Sequence, residues 1–265
     1  MSFLIKNEEL RMKNSCLLTV YPSSSTFRCL MLLFIGSIFL VGCKEATRNI
    51  QSYYLPLEEI KDGMVYEYQA VNNDSLAPFY WYFRLMEKTE RKILTSTYYD
   101  HTFTIQQLSN EEVVSTGVIL DDLFLYATDT ITGVQQQNPV RVEWDNAFPF
   151  EVTDSTQAYL YKIYWTEIEN PTQKVRIIRN RHFMGDATYS YKGKEMDCVR
   201  FLVKEVIEVE EEGFQELSFL GTELYAKNLG LIYYNKTVDG QLVQEYELVD
   251  RFSMEELERR YYNNR

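Results

Sequence analysis

Apolar and polar side chains alternate from Cys198 to Glu210, and this period of two fits an extended strand with one buried face. Glu205 is the exception, because it places a carboxylate on the apolar face. The apolar face consists of Val199, Phe201, Val203, Ile207 and Val209, and the opposite face includes Arg200, Lys204 and Glu208. The run therefore predicts a long β-strand that turns one face to a core.

Similar strand-like runs recur along the chain between short turn-forming segments. The strongest hairpin signal is Asp239-Gly240, which joins the runs Leu231–Val238 and Leu242–Val249. About ten to thirteen such runs follow one another, without the alternation of strands and helices that marks a parallel sheet. This pattern predicts a mainly β fold, in which a curved antiparallel sheet forms a barrel or half-barrel.

Other segments depart from the strand pattern. Ser109-Asn110 and Asp121-Asp122 are polar pairs that predict breaks between strands. The interval 129–154 predicts a long loop, although Val140–Trp144 alternates well enough to form a strand. Near the C-terminus, a serine followed by two glutamates predicts a short helix at 253–262.

An apolar run from Leu30 to Val41 ends in Gly42-Cys43. A bilayer span needs about 20 residues, so this run has the length of a secretory signal instead. Leu40-Val41-Gly42-Cys43 resembles the lipobox of bacterial lipoprotein precursors, as in envelope lipoproteins of the Bacteroidota. The resemblance implies cleavage before Cys43 and attachment of a diacylglycerol to its thiol. A plain secretory signal, an uncleaved anchor and a buried helix are the alternatives.

These features divide the chain into three predicted parts. Residues 1–42 form a lipoprotein signal peptide, with translation starting at Met1 or Met12. Residues 43–52 form a tether next to the lipid, and residues 53–265 form one antiparallel β domain with the C-terminal helix. The resemblance to lipoproteins implies a location in the bacterial cell envelope, with the outer membrane and its periplasmic face as the favoured place.

The chain carries 27 Lys and Arg against 39 Asp and Glu, a net charge of −12. This negative charge argues against nucleic acid as a partner and against electrostatic attraction to anionic lipid surfaces. The predicted partners are therefore the membrane, through the lipid on Cys43, a lipid or other apolar ligand, and a protein of the envelope.

The segment Gly221–Ile232 contains Tyr225-Ala226-Lys227 and, after two residues, Gly230-Leu231. It is similar to the closing strands of open-sheet periplasmic domains, including the LolA-like lipoprotein carriers. This resemblance implies an open, curved sheet and bears on the fold more than on the function.

The sequence contains none of the common signatures of catalysis, metal binding or nucleotide binding. His101 and His182 are far apart in sequence, and the alternation around Cys198 predicts a buried, inert thiol. We therefore predict no catalytic residue, no metal site and no cofactor. The alternative is an envelope-polymer hydrolase, whose carboxylates only the fold would bring together.

The aromatic run Phe79-Tyr80-Trp81-Tyr82-Phe83 is the feature with the clearest functional interpretation. Alternation places Phe79, Trp81 and Phe83 on one face and the two tyrosines on the other. The run is a core strand if both faces are covered, or a wall for an apolar ligand if one is open. We predict a non-enzymatic binding or interaction module, with these three residues as candidate ligand contacts.

Overall fold

The computed structural model describes residues 47–263, except for residues 72, 74, 89, 130, 131, 154 and 155, and it describes no side chain at 262 and 263. The described residues belong to one compact unit. The predicted signal peptide and the predicted lipidation site, Cys43, lie outside the described residues.

The described residues form fourteen strands. They are β1 Arg48–Asn49, β2 Met64–Ala70, β3 Phe79–Glu87, β4 Lys92–Tyr99, β5 Ile105–Val114, β6 Gly117–Thr128, β7 Gln135–Pro149, β8 Glu151–Val152, β9 Ala158–Thr166, β10 Lys174–Tyr191, β11 Lys194–Glu210, β12 Phe214–Ala226, β13 Gly230–Val238 and β14 Gln241–Phe252. Twelve of them form a closed antiparallel barrel, in the order β10-β11-β12-β13-β14-β2-β3-β4-β5-β6-β7-β9, and the short strands β1 and β8 pair with each other. The mainly β fold is confirmed, and the sheet closes into a barrel.

The alternating run of the sequence is β11, which pairs with β10 on one side and with β12 on the other. Val199 and Phe201 are fully buried in the barrel, and Lys204 is exposed on its outer surface. Closure gives every barrel strand a paired neighbour on both sides. Since side chains just fill an eight-stranded barrel, a barrel of twelve strands leaves room for an interior cavity.

Three predicted interruptions are wrong. Ser109-Asn110 lies inside β5, because Ser109 faces the interior while Asn110 binds Thr95 on the neighbouring strand. Asp121-Asp122 lies inside β6, where a register shift against β5 lets two adjacent carboxylates face solvent. The predicted loop at 129–154 is largely the strand β7, whose register shifts against β6 disturb the alternation.

A plug, defined as residues 48–60, closes one end of the barrel. Its Ile50 and Ile60 are completely buried, and the Tyr54 ring lies 5.0 Å from that of Phe148. Gly230 has a φ of +91°, and an added Cβ would lie 3.0 Å from Leu55, so glycine suits this position. Residues 48–52 are thus part of the fold, although the tether was predicted to extend over them.

The helix α1, Met254–Asn263, packs against the outer surface of the barrel. Its N-terminus is capped by Ser253, whose hydroxyl accepts a hydrogen bond from the Glu256 amide at 3.3 Å. Leu257 packs with Tyr80 and Phe252, so the helix covers the outer face of β3. Within the described ranges, no helix has the length and apolar character needed to cross a membrane.

Candidate functional site

Residues on the inner face of the barrel line a cavity of about 500 Å³, a size typical of small-molecule sites. The plug contributes to one end of this cavity through Tyr54 and Leu55, and the barrel strands supply the walls. Two groups of residues at the cavity differ in chemistry. The aromatic wall comprises Tyr68, Phe79, Trp81, Phe83 and Tyr98. The charged cluster comprises Arg179, Arg181, Glu223 and Lys236, which line the cavity, and Glu205, which is ion-paired to Arg179 and Lys236.

The aromatic wall contains all three residues that were proposed from the sequence as ligand contacts. Phe79, Trp81 and Phe83 lie on the inner face of β3 and line the cavity. Phe79 stacks on Tyr68 with ring centroids 5.1 Å apart, and Trp81 stacks on Phe83 at 5.8 Å. The rings therefore form a continuous apolar surface.

The two interpretations of β3 that the sequence left open are combined in the structure. Its outer tyrosines, Tyr80 and Tyr82, pack in the cluster beneath α1. Its inner aromatic residues face a cavity, and Trp81 and Phe83 are only partly buried there. The role of these residues as ligand contacts remains a prediction.

The charged cluster lies on the inner face of four neighbouring strands. Arg179 and Arg181 come from β10, Glu205 from β11, Glu223 from β12 and Lys236 from β13. The antiparallel register of β10 and β11 places Arg179 directly opposite Glu205. The register of β11 and β12 places Glu223 opposite Phe201, which lies on the same face of β11 as Glu205. Period-two alternation then directs all five side chains to the same face of the sheet.

Glu205 binds two cations. One of its oxygens accepts hydrogen bonds from the Arg179 guanidinium, at 2.7 Å from Nε, and the other accepts one from Lys236 Nζ at 2.6 Å. Burial alone would raise the pKa of this carboxyl, but the charges of Arg179 and Lys236 outweigh burial and lower the pKa to about 2. Glu205 is therefore ionised at neutral pH.

Glu223 is the second carboxylate of the cluster. It accepts hydrogen bonds from Arg181 Nε at 2.8 Å and from the Tyr225 hydroxyl at 2.9 Å. Arg181 also donates to the Ala147 carbonyl at 2.9 Å, which ties β10 to β7. Burial opposes ionisation of Glu223, but the adjacent arginines keep its pKa below the usual value.

Glu111 is a third carboxyl at the cavity, and its partners are hydroxyl groups. It accepts hydrogen bonds from Tyr54 of the plug at 3.1 Å and from Ser109 at 3.2 Å. Burial raises the pKa of Glu111, and these two hydrogen bonds only partly offset the shift. The pKa of Glu111 is thus raised, whereas the pKa values of Glu205 and Glu223 are lowered.

The charged cluster was missed in the sequence, although one signal was present. Glu205 stands on an apolar face, and a buried carboxylate requires a partner. Its partners are 26 and 31 positions away, on other strands. Only the strand pairing identifies Arg179 and Lys236 as those partners.

The remaining candidates for chemistry do not form a site. Cys198 is 1% exposed, and burial raises the pKa of its thiol to about 11, which makes it a poor nucleophile. Over the ranges that the structure covers, no group of three or more His, Cys, Asp and Glu side chains is arranged to hold a metal ion.

No protein-family model and no curated protein matches the chain. Among solved structures, the chain resembles a protein assigned as a lipoprotein from Parabacteroides distasonis, with 11% identity, a TM-score of 0.46 and coverage of 76% of this chain and 98% of that one. It also resembles an exported protein with a YmcC-like fold from Bacteroides fragilis, with 12% identity, a TM-score of 0.47 and coverage of 73% and 96%. The hypothetical lipoprotein YmcC from Escherichia coli matches with 10% identity, a TM-score of 0.30 and coverage of 87% and 98%.

Proposed function

We propose that the protein is a lipid-anchored envelope lipoprotein whose barrel binds a small, largely apolar ligand without transforming it. The observation that carries this proposal is the cavity of about 500 Å³ with its continuous aromatic wall. A core strand that served packing alone would leave no such space, because protein interiors pack at the density of organic crystals. An envelope protein bound to the outer surface of the barrel is the other predicted partner.

The lipid anchor is supported by the lipobox at Leu40-Val41-Gly42-Cys43. Thr47, where the described chain starts, is four residues beyond Cys43, and four residues span at most about 14 Å. A lipid on Cys43 would therefore hold the start of the described chain close to the membrane. The proposed location is the periplasmic face of the outer membrane. Two or three acyl chains would make the attachment stable.

Replacing Cys43 by serine is expected to abolish lipidation and cleavage, because the thiol is the acceptor of the diacylglycerol. The measurement is mass spectrometry of the mature N-terminus, with fractionation of the envelope. Cys29→Ser, inside the predicted signal, is the matched control and should be processed normally. A Cys43→Ser protein that is cleaved and fractionates like the wild type would exclude this anchor.

The ligand is tested by native mass spectrometry of residues 44–265, purified from a bacterial envelope without detergent. We expect a bound mass of a few hundred daltons that is lost on denaturation, as suits a cavity of this size. Trp81→Ala should lose the bound mass, because Trp81 forms part of the wall. Trp144→Ala is the matched control, since Trp144 is 48% exposed and lies outside the cavity lining.

An apo mass for the wild-type domain would argue against a ligand carrier and would favour a protein partner, captured by cross-linking.

The hydrolase alternative needs a proton donor, and Glu111 is the carboxyl at the cavity with a raised pKa. Glu205 and Glu223 suit that role poorly, because arginine charges hold them ionised. Turnover of an envelope polymer that Glu111→Gln abolishes would favour the hydrolase.

A further inference from the structure

We propose that the ligand is an anionic amphiphile, whose head group binds Arg179 and Lys236 while its apolar chain lies against the aromatic wall. This inference rests on the proposed function and specifies the chemistry of the ligand. The head group would be a carboxylate or a phosphate, since both accept hydrogen bonds from guanidinium and ammonium groups.

Within the cluster, cations outnumber carboxylates. Three cations, Arg179, Arg181 and Lys236, face two carboxylates, Glu205 and Glu223. The other carboxyl at the cavity, Glu111, accepts its hydrogen bonds from hydroxyl groups. An anionic head group beside Arg179 and Lys236 would add charge-assisted hydrogen bonds on this side of the cavity.

Arg179 and Lys236, the residues proposed to bind the head group, both have N–H donors that are not used by Glu205. Lys236 has three N–H donors and gives one to Glu205. Arg179 directs Nε and Nη2 to Glu205, while its Nη1 lies 4.0 Å from Glu223, beyond hydrogen-bond distance. The side chains of Arg179 and Lys236 keep 28% and 24% of their surface accessible, and both line the cavity.

The cluster and the aromatic wall are continuous with each other. Tyr234 precedes Lys236 by two residues on β13, so both side chains share the inner face. The Tyr234 ring lies 6.3 Å from that of Phe79, and Tyr246 on β14 contacts both rings. A molecule whose anionic head is at Lys236 therefore has an apolar path along Tyr234 and Phe79 towards Trp81.

The end of the barrel opposite the plug provides the entrance. Ile207 follows Glu205 by two positions on β11, so its side chain lies on the same inner face. The register pairs Leu217 of β12 with Ile207, and Leu217 therefore also faces inward. Leu217 is nonetheless 46% exposed, whereas Ile50 and Ile60 of the plug are fully buried. The exposure of this inward-facing leucine indicates that the barrel is open at the end away from the plug, on the side of Glu205 where β12 begins.

The test uses four probes that share a dodecyl chain brominated at its methyl end and differ in the head group: carboxylate, phosphate, alcohol and trimethylammonium. Bromine quenches nearby tryptophan, and Trp81 and Trp165 both line the cavity. Residues 44–265 are titrated with each probe below its micelle concentration. We expect the two anionic probes to bind at least about tenfold more tightly than the alcohol, the effect of one charge-assisted contact. The tighter of the two anionic probes identifies the head group.

Lys236→Met should remove the preference for anionic probes, and Lys236→Arg should keep it. Lys204→Met, on the outer surface of β11, is the control and should bind as the wild type does. If the alcohol binds as tightly as the anionic probes, the anionic head group is refuted and the apolar carrier stands. If no probe quenches tryptophan, the proposed function fails as well. If Lys236→Met does not fold, the binding of the four probes to the wild type and to Lys236→Arg tests the proposal instead.

Discussion

Arg181→Met is expected to lower the free energy of unfolding by about 3–5 kcal/mol, the cost of leaving a buried charge without its partner. Glu223 would lose the guanidinium that donates at 2.8 Å, and the Ala147 carbonyl would lose its donor at 2.9 Å. The side chains of Arg181 and Glu223 are both about nine-tenths buried, so water can replace little of the lost hydrogen bonding. Urea denaturation, followed by far-ultraviolet circular dichroism, measures the change.

Two controls separate this charge effect from a general loss of packing. The double variant Arg181→Met/Glu223→Gln removes both charges and should recover part of the lost stability, since no uncompensated carboxylate remains. Arg200→Met changes an arginine on the outer surface of β11 and should shift the stability by less than about 0.5 kcal/mol. A double variant as unstable as Arg181→Met would show that packing of the arginine, and not the charge, is what matters.

Acid should destabilise the protein through Glu205, whose pKa falls from its usual 4.5 to about 2 in the folded state. Because the folded-state pKa is the lower one, the unfolded state binds a proton first as the pH falls. The contribution of Glu205 is complete above about pH 4.5 and disappears as the pH falls through about 2. A shift of this size corresponds to about 3 kcal/mol for a carboxylate as deeply buried as this one.

The measurement compares urea unfolding of the wild type and Glu205→Gln between pH 7 and pH 2. In Glu205→Gln, Arg179 and Lys236 face a neutral amide, so its free energy of unfolding should fall furthest below that of the wild type above pH 4.5. The difference between the two free energies should shrink by about 3 kcal/mol towards pH 2, because the wild-type carboxyl is also becoming neutral there. Glu210→Gln, an exposed carboxylate at the end of β11, should follow the wild-type profile. A difference that stays constant with pH would contradict this account.

The strands and the helix were largely readable from the sequence, because their signals lie within a few neighbouring residues. The predicted runs Leu231–Val238 and Leu242–Val249 lie within β13 and β14, and the helix predicted at 253–262 begins one residue later. The misplaced breaks have two causes. Ser109 faces an interior that is itself partly polar, so its polarity did not mark the end of a strand. At Asp121-Asp122 and along β7, register shifts between strands disturb the alternation within a strand that continues.

The aromatic wall was also accessible to sequence reasoning, in part. Alternation places Phe79, Trp81 and Phe83 on one face whatever surrounds that face. Whether the face meets packed side chains or a cavity depends on how many strands close the barrel, and no local pattern encodes that number. The cavity beside these rings is therefore a property of the tertiary structure.

The sequence by itself determined the strand-rich class and the aromatic face of β3, and it predicted the lipobox that ends at Cys43, since each is a pattern within one short stretch. The tertiary structure alone decided the closure of the barrel, the plug and the charged cluster. Arg179, Glu205 and Lys236 are far apart along the chain, and only the antiparallel register of β10 to β13 brings their charges into contact. Strand pairing depends on residues far apart in sequence, because it is set by the burial of all faces together. It gives Glu205, an isolated carboxylate on an apolar face, its two cationic partners at the candidate binding site.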